Sequence, residues 1–317
     1  MVNYKVQSPV LLLVFNRPDT TLQVYNRIKE VKPKKLYIAA DGPRKSVASD
    51  KNLCDETRKI FSNIEWECDV YRLFNETNKG CKVSVAEAIT WFFDNEEEGI
   101  ILEDDCLPAE SFFYFCDTML DKYRFDNRIC TVTGSNMQSG NKWGDASYYF
   151  SQFSNIWGWA TWKRFWKNYD PFLAKYKEED VIAQLPKIFD DMFLREIWLE
   201  IFRKIKSNKI DTWDYQLQFL TFFENGLCVT PNVNLISNIG FREDATHTNN
   251  PQHHAHHANL PTAEITEILH PLFFLPEKDA DYFFLKKEFY LEEKWRKFEK
   301  DKLLRRRFKR WLRNLFK

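Results

Sequence analysis

Three consecutive carboxylates end the apolar run of residues 99–102: Glu103, Asp104 and Asp105. Like charges this close repel one another, so at the end of a buried strand they require a cation or a shifted protonation state. Mg²⁺ and Mn²⁺ prefer oxygen ligands, and Mg²⁺ often links one or two carboxylates to the phosphates of a substrate. The three acids therefore predict a divalent-metal site, and the alternative is an acidic turn that caps the helix after Pro108.

The elements that position these acids alternate between strand and helix through the first half of the chain. Short apolar runs predict strands at residues 10–15, 36–40, 66–74 and 99–102. Helical patterns lie between them, at residues 19–31, 48–64 and 81–93. This alternation predicts an α/β fold with a mostly parallel sheet, in which ligands bind beyond the carboxyl ends of the strands.

Polar segments also follow the first three of these strands. They contain Arg17, Asp41, Arg44 and Lys79. Because the carboxyl ends of parallel strands share one edge of the sheet, we expect these side chains to lie near the acids. Such an edge suits an anionic ligand together with a cation, and a nucleotide diphosphate with a divalent metal meets both requirements.

The composition is that of a globular protein with balanced charge. The 317 residues are 44% hydrophobic, and 46 basic residues balance 46 acidic ones, which argues against a general nucleic-acid binder. Seven scattered cysteines without a CxxC pair favour a reduced, cytoplasmic setting. The first apolar run has the length of a strand and is too short for a signal or a membrane span.

Five segments of the chain form a recognisable combination. They are PVLLLVFNRPDTT, YIAADGPR, NKGCKVSVAEAITWFF, GIILEDDCLPAESFFYFC and SNIWGWATWKRFW. Together they resemble a nucleotide-sugar-dependent glycosyltransferase of the GT-A fold. The fourth segment is similar to the metal-binding segment of the N-acetylglucosaminyltransferase I group, in which EDD precedes a Phe-rich helix. The resemblance covers about the first 250 residues and implies a Rossmann-like, mixed and mostly parallel sheet flanked by helices.

This resemblance implies roles for the residues at the strand ends. Asp105 would be the direct ligand of Mn²⁺ or Mg²⁺, while Glu103 and Asp104 would contact the ribose and the nucleotide. Arg17 and Asp41 would lie against the nucleotide of the donor, which is expected to be a UDP-sugar. The alternative for these last two residues is a helix N-terminus and a Gly-Pro turn.

Further donor contacts are expected from Lys79 and from the tryptophan-rich residues 154–166. Flat apolar rings suit the faces of sugars, and Gly158 allows a close approach of the backbone. Trp157 or Trp159 is expected at the pocket, and the other tryptophans of the segment are expected to pack in the core. Tryptophans at this spacing are also ordinary core residues, which is the alternative.

Inverting transferases need a general base, usually a carboxylate, that deprotonates the acceptor hydroxyl. Asp211 and Asp214 precede a helical segment, and the resemblance matches Asp214 to the base. An Asp at the start of a helix is also a common N-cap. Asp211 would then be the cap, or the two roles are reversed.

A late histidine is the second expected metal ligand. His247 follows a predicted strand, where similar enzymes bring a histidine to the metal or the diphosphate. The histidine-rich residues 253–257 lie in a polar loop with Pro and Asn nearby, and we assign them no catalytic role.

The end of the chain is strongly basic, because residues 302–317 contain eight basic residues and no acidic one. Its apolar residues fall on one face of a helix: Leu304, Phe308, Trp311, Leu312 and Leu315. This pattern is typical of a helix that lies on an anionic bilayer, here the inner face of the cell membrane. The alternative is a solvated helix packed on the domain.

These predictions combine into a chain of two parts, a glycosyltransferase domain at residues 1–260 and a helical, basic extension at residues 261–317. The expected reaction is metal-dependent transfer of a sugar from a UDP-sugar to a glycan or lipid-linked acceptor, with inversion. A sugar-phosphate nucleotidyltransferase is one alternative, but residues 15–21 lack the glycines that cradle a triphosphate. A non-catalytic, membrane-bound module that binds nucleotide sugars is the other.

Overall fold

The computed structural model describes residues 4–241 and 258–315, and these ranges form ten strands and ten helices. The strands are β1 Val10–Val14, β2 Lys35–Ala40, β3 Asp69–Phe74, β4 Glu98–Glu103, β5 Cys106–Pro108, β6 Ile129–Thr133, β7 Tyr148–Ser151, β8 Trp159–Trp162, β9 Leu227–Pro231 and β10 Ile236–Asn238. The helices are α1 Pro18–Val31, α2 Asp50–Lys59, α3 Cys81–Asn95, α4 Glu110–Tyr123, α5 Lys163–Trp166, α6 Glu178–Ile188, α7 Met192–Lys206, α8 Asp214–Phe223, α9 Lys278–Glu288 and α10 Leu291–Leu315.

Eight strands form the central sheet, in the order β3-β2-β1-β4-β8-β6-β9-β7. Strands β1 to β4 are parallel, and β8 joins β4 to β6 in antiparallel pairing. Strand β9 runs parallel to β6, and β7 pairs antiparallel with β9. The predicted α/β fold with a mixed, mostly parallel sheet flanked by helices is confirmed, and each predicted strand overlaps an observed one.

Both faces of β1 are buried, which explains its continuous apolar sequence. Val10, Leu12 and Val14 belong to a core shared with α1 and α4. Leu11 and Leu13 belong to a second core shared with α3 and α8. Because alternate residues of a strand point to opposite faces, helices on both sides hold β1 at the centre of the fold.

A third core lies among α6, α7, α8 and α9 and is rich in aromatic rings. The ring of Trp198 in α7 stacks on that of Phe189, with 6.1 Å between centroids. Trp198 also meets Phe222 of α8 edge to face at 4.9 Å, an arrangement that aromatic pairs favour. This core fixes the position of α7 and α8 relative to the sheet.

The segment after residue 258 packs against the earlier part of the chain. Ile265 is buried in the core beneath α4, and Leu291 is buried in the third core. The ring of Trp295 in α10 meets Phe193 of α7 at 4.9 Å. Packing is therefore continuous across the predicted boundary at residue 260, and a separate role for residues 261–317 remains a prediction.

Helix α10 carries the basic end of the chain. Leu304 is 52% exposed, while the other members of the predicted apolar face lie beyond the described side chains. Within the described ranges, none of the helices combines the length and the apolar content that crossing a bilayer requires. Binding of this helix to a membrane surface stays a prediction.

Gly158 lies where β8 begins and has φ +58, a conformation that L side chains rarely adopt. A Cβ there would stand 2.3 Å from Cδ1 of the buried Ile236. Gly158→Ala should therefore lower the free energy of unfolding by about 2–4 kcal/mol, through backbone strain and overpacking. Urea denaturation would measure the loss.

Gly140→Ala is the matched control for this substitution. Gly140 has φ +85, but a Cβ there would meet no heavy atom within 4 Å. We expect it to cost only the backbone strain, about 1–2 kcal/mol. Equal losses at the two positions would contradict the close packing of Gly158 on Ile236.

Asp281 anchors α9 to the edge of the central sheet. Its carboxylate accepts hydrogen bonds from the Ser151 hydroxyl at 2.5 Å and from the Gln152 N–H at 2.9 Å. Burial nevertheless raises the pKa of Asp281 to about 7, and the charge of Glu277 adds to the shift. A buried, hydrogen-bonded carboxylate thus holds the start of the C-terminal helices in place.

This raised pKa predicts a pH dependence of stability. The folded state keeps the Asp281 proton up to about pH 7, whereas an unfolded chain releases it near about pH 4. The free energy of unfolding should therefore fall as pH rises through this window, by about 4 kcal/mol at most for this group. Asp281→Asn removes this titration. The free energy of unfolding of the variant relative to that of the wild type should therefore increase when the pH is raised from 5 to 8. Urea denaturation at the two pH values measures this change. If the difference in free energy of unfolding between the two proteins were the same at pH 5 and pH 8, the raised pKa of Asp281 would be contradicted.

Candidate active site

A cavity of about 740 Å³ opens at the carboxyl ends of β1, β2 and β4. Val14, Ala39 and Glu103 line it from the strand ends, and Gly80 lines it from the loop before α3. Helices α7, α8 and α9 supply another wall. Parallel sheets bind their ligands at this edge, so the cavity lies where the sequence predicts a site.

The end of β4 brings the three acids to this cavity, where each of them contributes to the wall. Asp104 is buried and accepts the N–H of Phe15 at 3.1 Å, which ties the end of β4 to the end of β1. Asp105 accepts a hydrogen bond from Nη1 of Arg17 at 2.9 Å. An arginine from the loop after β1 therefore offsets part of the negative charge.

The two-stranded sheet of β5 and β10 brings the chain back past Asp105. The Ile239 N–H donates to the backbone carbonyl of Asp105 at 2.9 Å. A Cβ on Gly240 would stand 2.1 Å from Oδ2 of Asp105, so the carboxylate fits only because this residue is glycine. Backbone thus encloses Asp105 on the side of β10.

The acids lie close enough to shift one another's protonation. Burial raises the pKa of Asp104 to about 7, and the repulsion of Asp105 adds to this effect. Burial also raises the pKa of Glu103 well above its ordinary value, with further increases from Asp105, Asp104 and Asp214. Arg17 opposes both shifts without cancelling them. A further cation at this point would stabilise the ionised forms.

The chemistry of these donors fits a hard divalent cation whose ligand set is completed by a substrate. In residues 4–241 and 258–315, no three acidic, histidine or cysteine side chains converge as a preformed metal cage. Mg²⁺ and Mn²⁺ often bind one or two carboxylates and take their other oxygens from phosphates and water. Arg17 offsets only part of the charge of Glu103, Asp104 and Asp105, which suits that mode, and the individual roles of the three acids stay predictions. The other predicted ligand, His247, lies outside the described residues.

Asp41 lines the cavity and organises the loop before α3. Its carboxylate accepts the N–H of Gly42 at 2.8 Å and the side-chain amide of Asn78 at 2.9 Å. It also accepts the backbone N–H groups of Lys79 at 3.0 Å and Gly80 at 3.2 Å. The observed role of Asp41 is therefore to position this loop, and its contact with a nucleotide stays a prediction.

The structure does not bring the ammonium group of Lys79 to the cavity. Nζ of Lys79 pairs with Oε2 of Glu87, in the second turn of α3, at 2.6 Å. Its backbone contributes to the loop around Asp41, while its side chain lies on the surface. The structure therefore lends no support to a donor contact of the Lys79 side chain, which stays a prediction.

Arg44 does line the cavity, but its guanidinium is already paired. Nε and Nη2 of Arg44 donate to the two oxygens of the buried Asp50, at 2.6 and 2.9 Å. Asn16 donates to the same carboxylate at 2.9 Å. This network, which the sequence analysis does not anticipate, fixes the rim of the cavity at the start of α2.

Asp214 and Asp211 both line the cavity, with different surroundings. Asp214 is the first residue of α8 and accepts a short hydrogen bond from the Thr212 hydroxyl through Oδ1. Its Oδ2 has no hydrogen-bond donor among the described residues. Asp211 instead accepts the Lys82 N–H at 3.2 Å in the first turn of α3. Asp211 thus caps α3, which lies far away in sequence, and not the helix that follows it, as one alternative expects.

The two tryptophans predicted at the pocket separate. Trp157 lines the cavity, and its ring meets Phe241 edge to face at 5.7 Å. Trp159 is 1% exposed and stacks on Trp213 at 5.7 Å, in the core between the sheet and α8. The donor contact predicted for Trp159 is therefore corrected, because β8 buries this side chain beneath the cavity.

Helix α7, helix α9 and the residue after α9 contribute cavity residues that the sequence does not indicate. They are Trp198, Phe284, Leu285, Glu288 and Phe289. The apolar pattern of α7 is visible in the sequence, but it gives no sign that Trp198 faces a cavity. The position of α9 depends on the hydrogen bonds of Asp281 to the sheet edge, which connect segments about 130 residues apart.

No known protein family and no curated protein matches the chain. Among solved structures, a UDP-glucose pyrophosphorylase complexed with UDP-glucose is similar at 10% identity and TM-score 0.37, covering 70% of this chain and 90% of that one. A 4-diphosphocytidyl-2C-methyl-D-erythritol synthase from Anaerococcus prevotii is similar at 11% identity and TM-score 0.33, over 69% of this chain and 95% of that one. A cytidylyltransferase from Leptospira borgpetersenii is similar at 13% identity and TM-score 0.32, over 52% of this chain, which spans 64% of that protein. Similarities this low carry no inference about activity or site residues.

Proposed function

We propose that this protein is a metal-dependent glycosyltransferase that moves a sugar from a UDP-sugar to an acceptor hydroxyl. The observation that supports the proposal is that one cavity at the carboxyl edge of the sheet is lined by the three acids at the end of β4 (Glu103, Asp104 and Asp105), by Arg17 and by Asp214. The acids suit a divalent cation, the guanidinium suits a diphosphate, and the carboxylate of Asp214 suits a proton transfer.

Arg17 is the residue that we expect to bind the diphosphate of the donor. Its Nη1 lies 2.9 Å from Oδ2 of Asp105, at the point where the donor phosphates would approach. A guanidinium can donate two parallel hydrogen bonds to phosphate oxygens. On donor binding, Arg17 would exchange Asp105 for the phosphates. Mn²⁺ or Mg²⁺, when bound at Asp105 beside Glu103 and Asp104, supplies positive charge that stabilises the departing diphosphate.

Asp214 is the residue that we expect to act as the general base. Asp214 lines the same cavity as Glu103, and among the described residues its Oδ2 accepts no hydrogen bond that would compete with a proton. The acceptor oxygen forms a bond to C1 of the donor sugar while the bond from C1 to the diphosphate breaks. The hydroxyl proton passes to Asp214, and UDP leaves. Because the acceptor attacks from the face opposite the leaving group, the configuration at C1 is inverted.

A sugar-phosphate nucleotidyltransferase is the second candidate, and at the level of the fold it fits this chain as well as a glycosyltransferase. The loop between β1 and α1 is the observation that favours glycosyl transfer. It consists of Phe15, Asn16 and Arg17 without a glycine, and the N–H of Phe15 already donates to Asp104. This loop therefore offers little backbone to cradle a triphosphate.

A thermal-shift screen separates these candidates at the level of binding. Ligands that bind only the folded state raise its stability by mass action. We expect UDP to raise the melting temperature in the presence of Mn²⁺ but not in EDTA, and a UDP-sugar to raise it further. A rise with UTP and sugar 1-phosphates but not with UDP would favour the nucleotidyltransferase. Binding of a UDP-sugar without hydrolysis or transfer, for every donor tried, would favour the non-catalytic module.

A further inference from the structure

Aromatic side chains of α7, α8 and α9 and of the residue after α9 form one wall of the cavity, here called the aromatic wall: Trp198, Tyr215, Phe284 and Phe289. The ring of Trp198 lies 5.9 Å from that of Tyr215 and 6.2 Å from that of Phe289, both edge to face. The indole N–H of Trp198 is buried and has no hydrogen-bond acceptor among the described residues. The wall thus combines flat apolar surfaces with a donor that lacks a partner.

Asp214 connects this wall to the acids at the end of β4. Burial raises the pKa of Tyr215 well above its ordinary value, and the charges of Asp214 and Glu288 raise it further. Asp214 is the neighbour of Tyr215 in α8, and it lines the same cavity as Glu103. A ligand on the aromatic wall would therefore share the cavity with the proposed general base and with the acids at the end of β4.

Among the described residues, the charged side chains that line this part of the cavity are acidic. Asp211, Asp214 and Glu288 line it, whereas the arginines that line the described cavity, Arg17 and Arg44, belong to the strand ends of β1 and β2. No lysine or arginine of α7, α8 or α9 is among the described lining residues. Carboxylates accept hydrogen bonds from sugar hydroxyls and repel phosphates and other carboxylates. The wall therefore suits a ligand with hydroxyl groups and apolar faces but without negative charge.

We propose that the aromatic wall binds the acceptor, as a sugar residue that carries no phosphate or carboxylate group. Its ring packs against the half-buried side chains of Tyr215, Phe284 and Phe289, and one of its hydroxyls donates to Asp214. This inference rests on the proposed function and narrows it, since it selects an uncharged glycan end over an acceptor whose phosphate enters the cavity.

The test measures binding of matched saccharides to the full chain in the presence of UDP and Mn²⁺. The probes are 4-nitrophenyl β-glucoside, β-galactoside and N-acetyl-β-glucosaminide, each compared with its 6-phosphate, and the glucoside and galactoside also with their uronides. Calorimetry should find at least one neutral glycoside that binds about 10-fold or more tightly than its charged analogues, because the carboxylates repel the latter. Equal or tighter binding of the phosphates or uronides would overturn the inference, as would no binding of any neutral probe.

Two variants assign the effect to this wall. Phe289→Ala should weaken binding of the neutral glycoside by about 10-fold and leave the affinity for UDP unchanged. Phe125→Ala, on a side chain that is 91% exposed outside the cavity, should change neither affinity.

Glu288→Gln should reduce the preference for the neutral probe over its 6-phosphate by about 3-fold or more. An unchanged preference would contradict the role of Glu288. If the wild type did not bind UDP with Mn²⁺, the proposed function itself would be refuted. If it bound UDP but preferred charged saccharides, only the present inference would be refuted.

Discussion

Asp214→Asn is expected to lower the turnover number of sugar transfer by about 10²–10⁴-fold, the usual contribution of a general base. The amide keeps the size of the side chain and can still accept the hydrogen bond of the Thr212 hydroxyl, but it cannot take the acceptor proton. The affinity for UDP with Mn²⁺ should stay within about 3-fold of the wild type, because the residue acts on the acceptor. Steady-state rates of UDP release with a saccharide acceptor provide the measurement.

Asp211→Asn is the control for this substitution, since the two aspartates line the same cavity. Asp211 caps α3 through the Lys82 N–H, so the variant should lose about 1 kcal/mol of stability and retain most of its turnover. If Asp211→Asn abolished turnover and Asp214→Asn did not, the two roles would be reversed and the assignment of the base would fail.

Asp105→Asn is expected to remove the effect of metal on UDP binding. In Mn²⁺ the affinity for UDP should fall by about 100-fold, equivalent to about 2.7 kcal/mol, because a charged ligand is lost from an enclosed site. In EDTA the substitution should raise the affinity for UDP instead of lowering it. The substitution removes one negative charge 2.9 Å from Arg17, so the diphosphate should meet less repulsion and bind at least as tightly as in the wild type.

Calorimetric titration of UDP into both proteins, with Mn²⁺ and with EDTA, measures this reversal. Asp121→Asn is a suitable control, because Asp121 is a largely exposed carboxylate on α4 outside the cavity. It should leave both affinities unchanged. A metal-dependent gain in affinity that survives in Asp105→Asn would rule out Asp105 as the ligand.

The strands that carry the site could be predicted because they are buried on both faces. β1 and β4 read as uninterrupted apolar runs, and their ends are marked by an abrupt change to polar residues. The acids of β4 are consecutive in sequence, so no knowledge of tertiary structure is needed to place them together. Their proximity to Arg17 follows from the parallel pairing of β1 with β4.

The positions of Trp157 and Trp159 are harder to predict, because the backbone conformation of Gly158 separates their side chains. Trp157 and Trp159 are two residues apart, a spacing that places both on one face of a regular strand. Gly158, with φ +58, breaks that regularity, and β8 begins only at Trp159. One ring therefore lines the cavity while the other is buried in the core.

The capping role of Asp211 and the cavity wall of α9 depend on contacts between distant segments. Asp211 lies 129 residues after the N–H that it accepts in α3. The position of α9 follows from the buried pairing of Asp281 with Ser151. Neither contact leaves a periodic or local signal, so the sequence could indicate the residue types but not their partners.

The most direct test of the proposed function is the identity of the products. The protein would be incubated with Mn²⁺, a panel of UDP-sugars and the neutral glycosides, and separately with UTP and sugar 1-phosphates, and the products would be resolved by mass spectrometry. We predict release of UDP together with a glycoside that is one sugar residue larger, and loss of both products in Asp105→Asn and Asp214→Asn. Pyrophosphate and a UDP-sugar formed from UTP, with no transfer to any glycoside, would contradict glycosyl transfer and identify a nucleotidyltransferase.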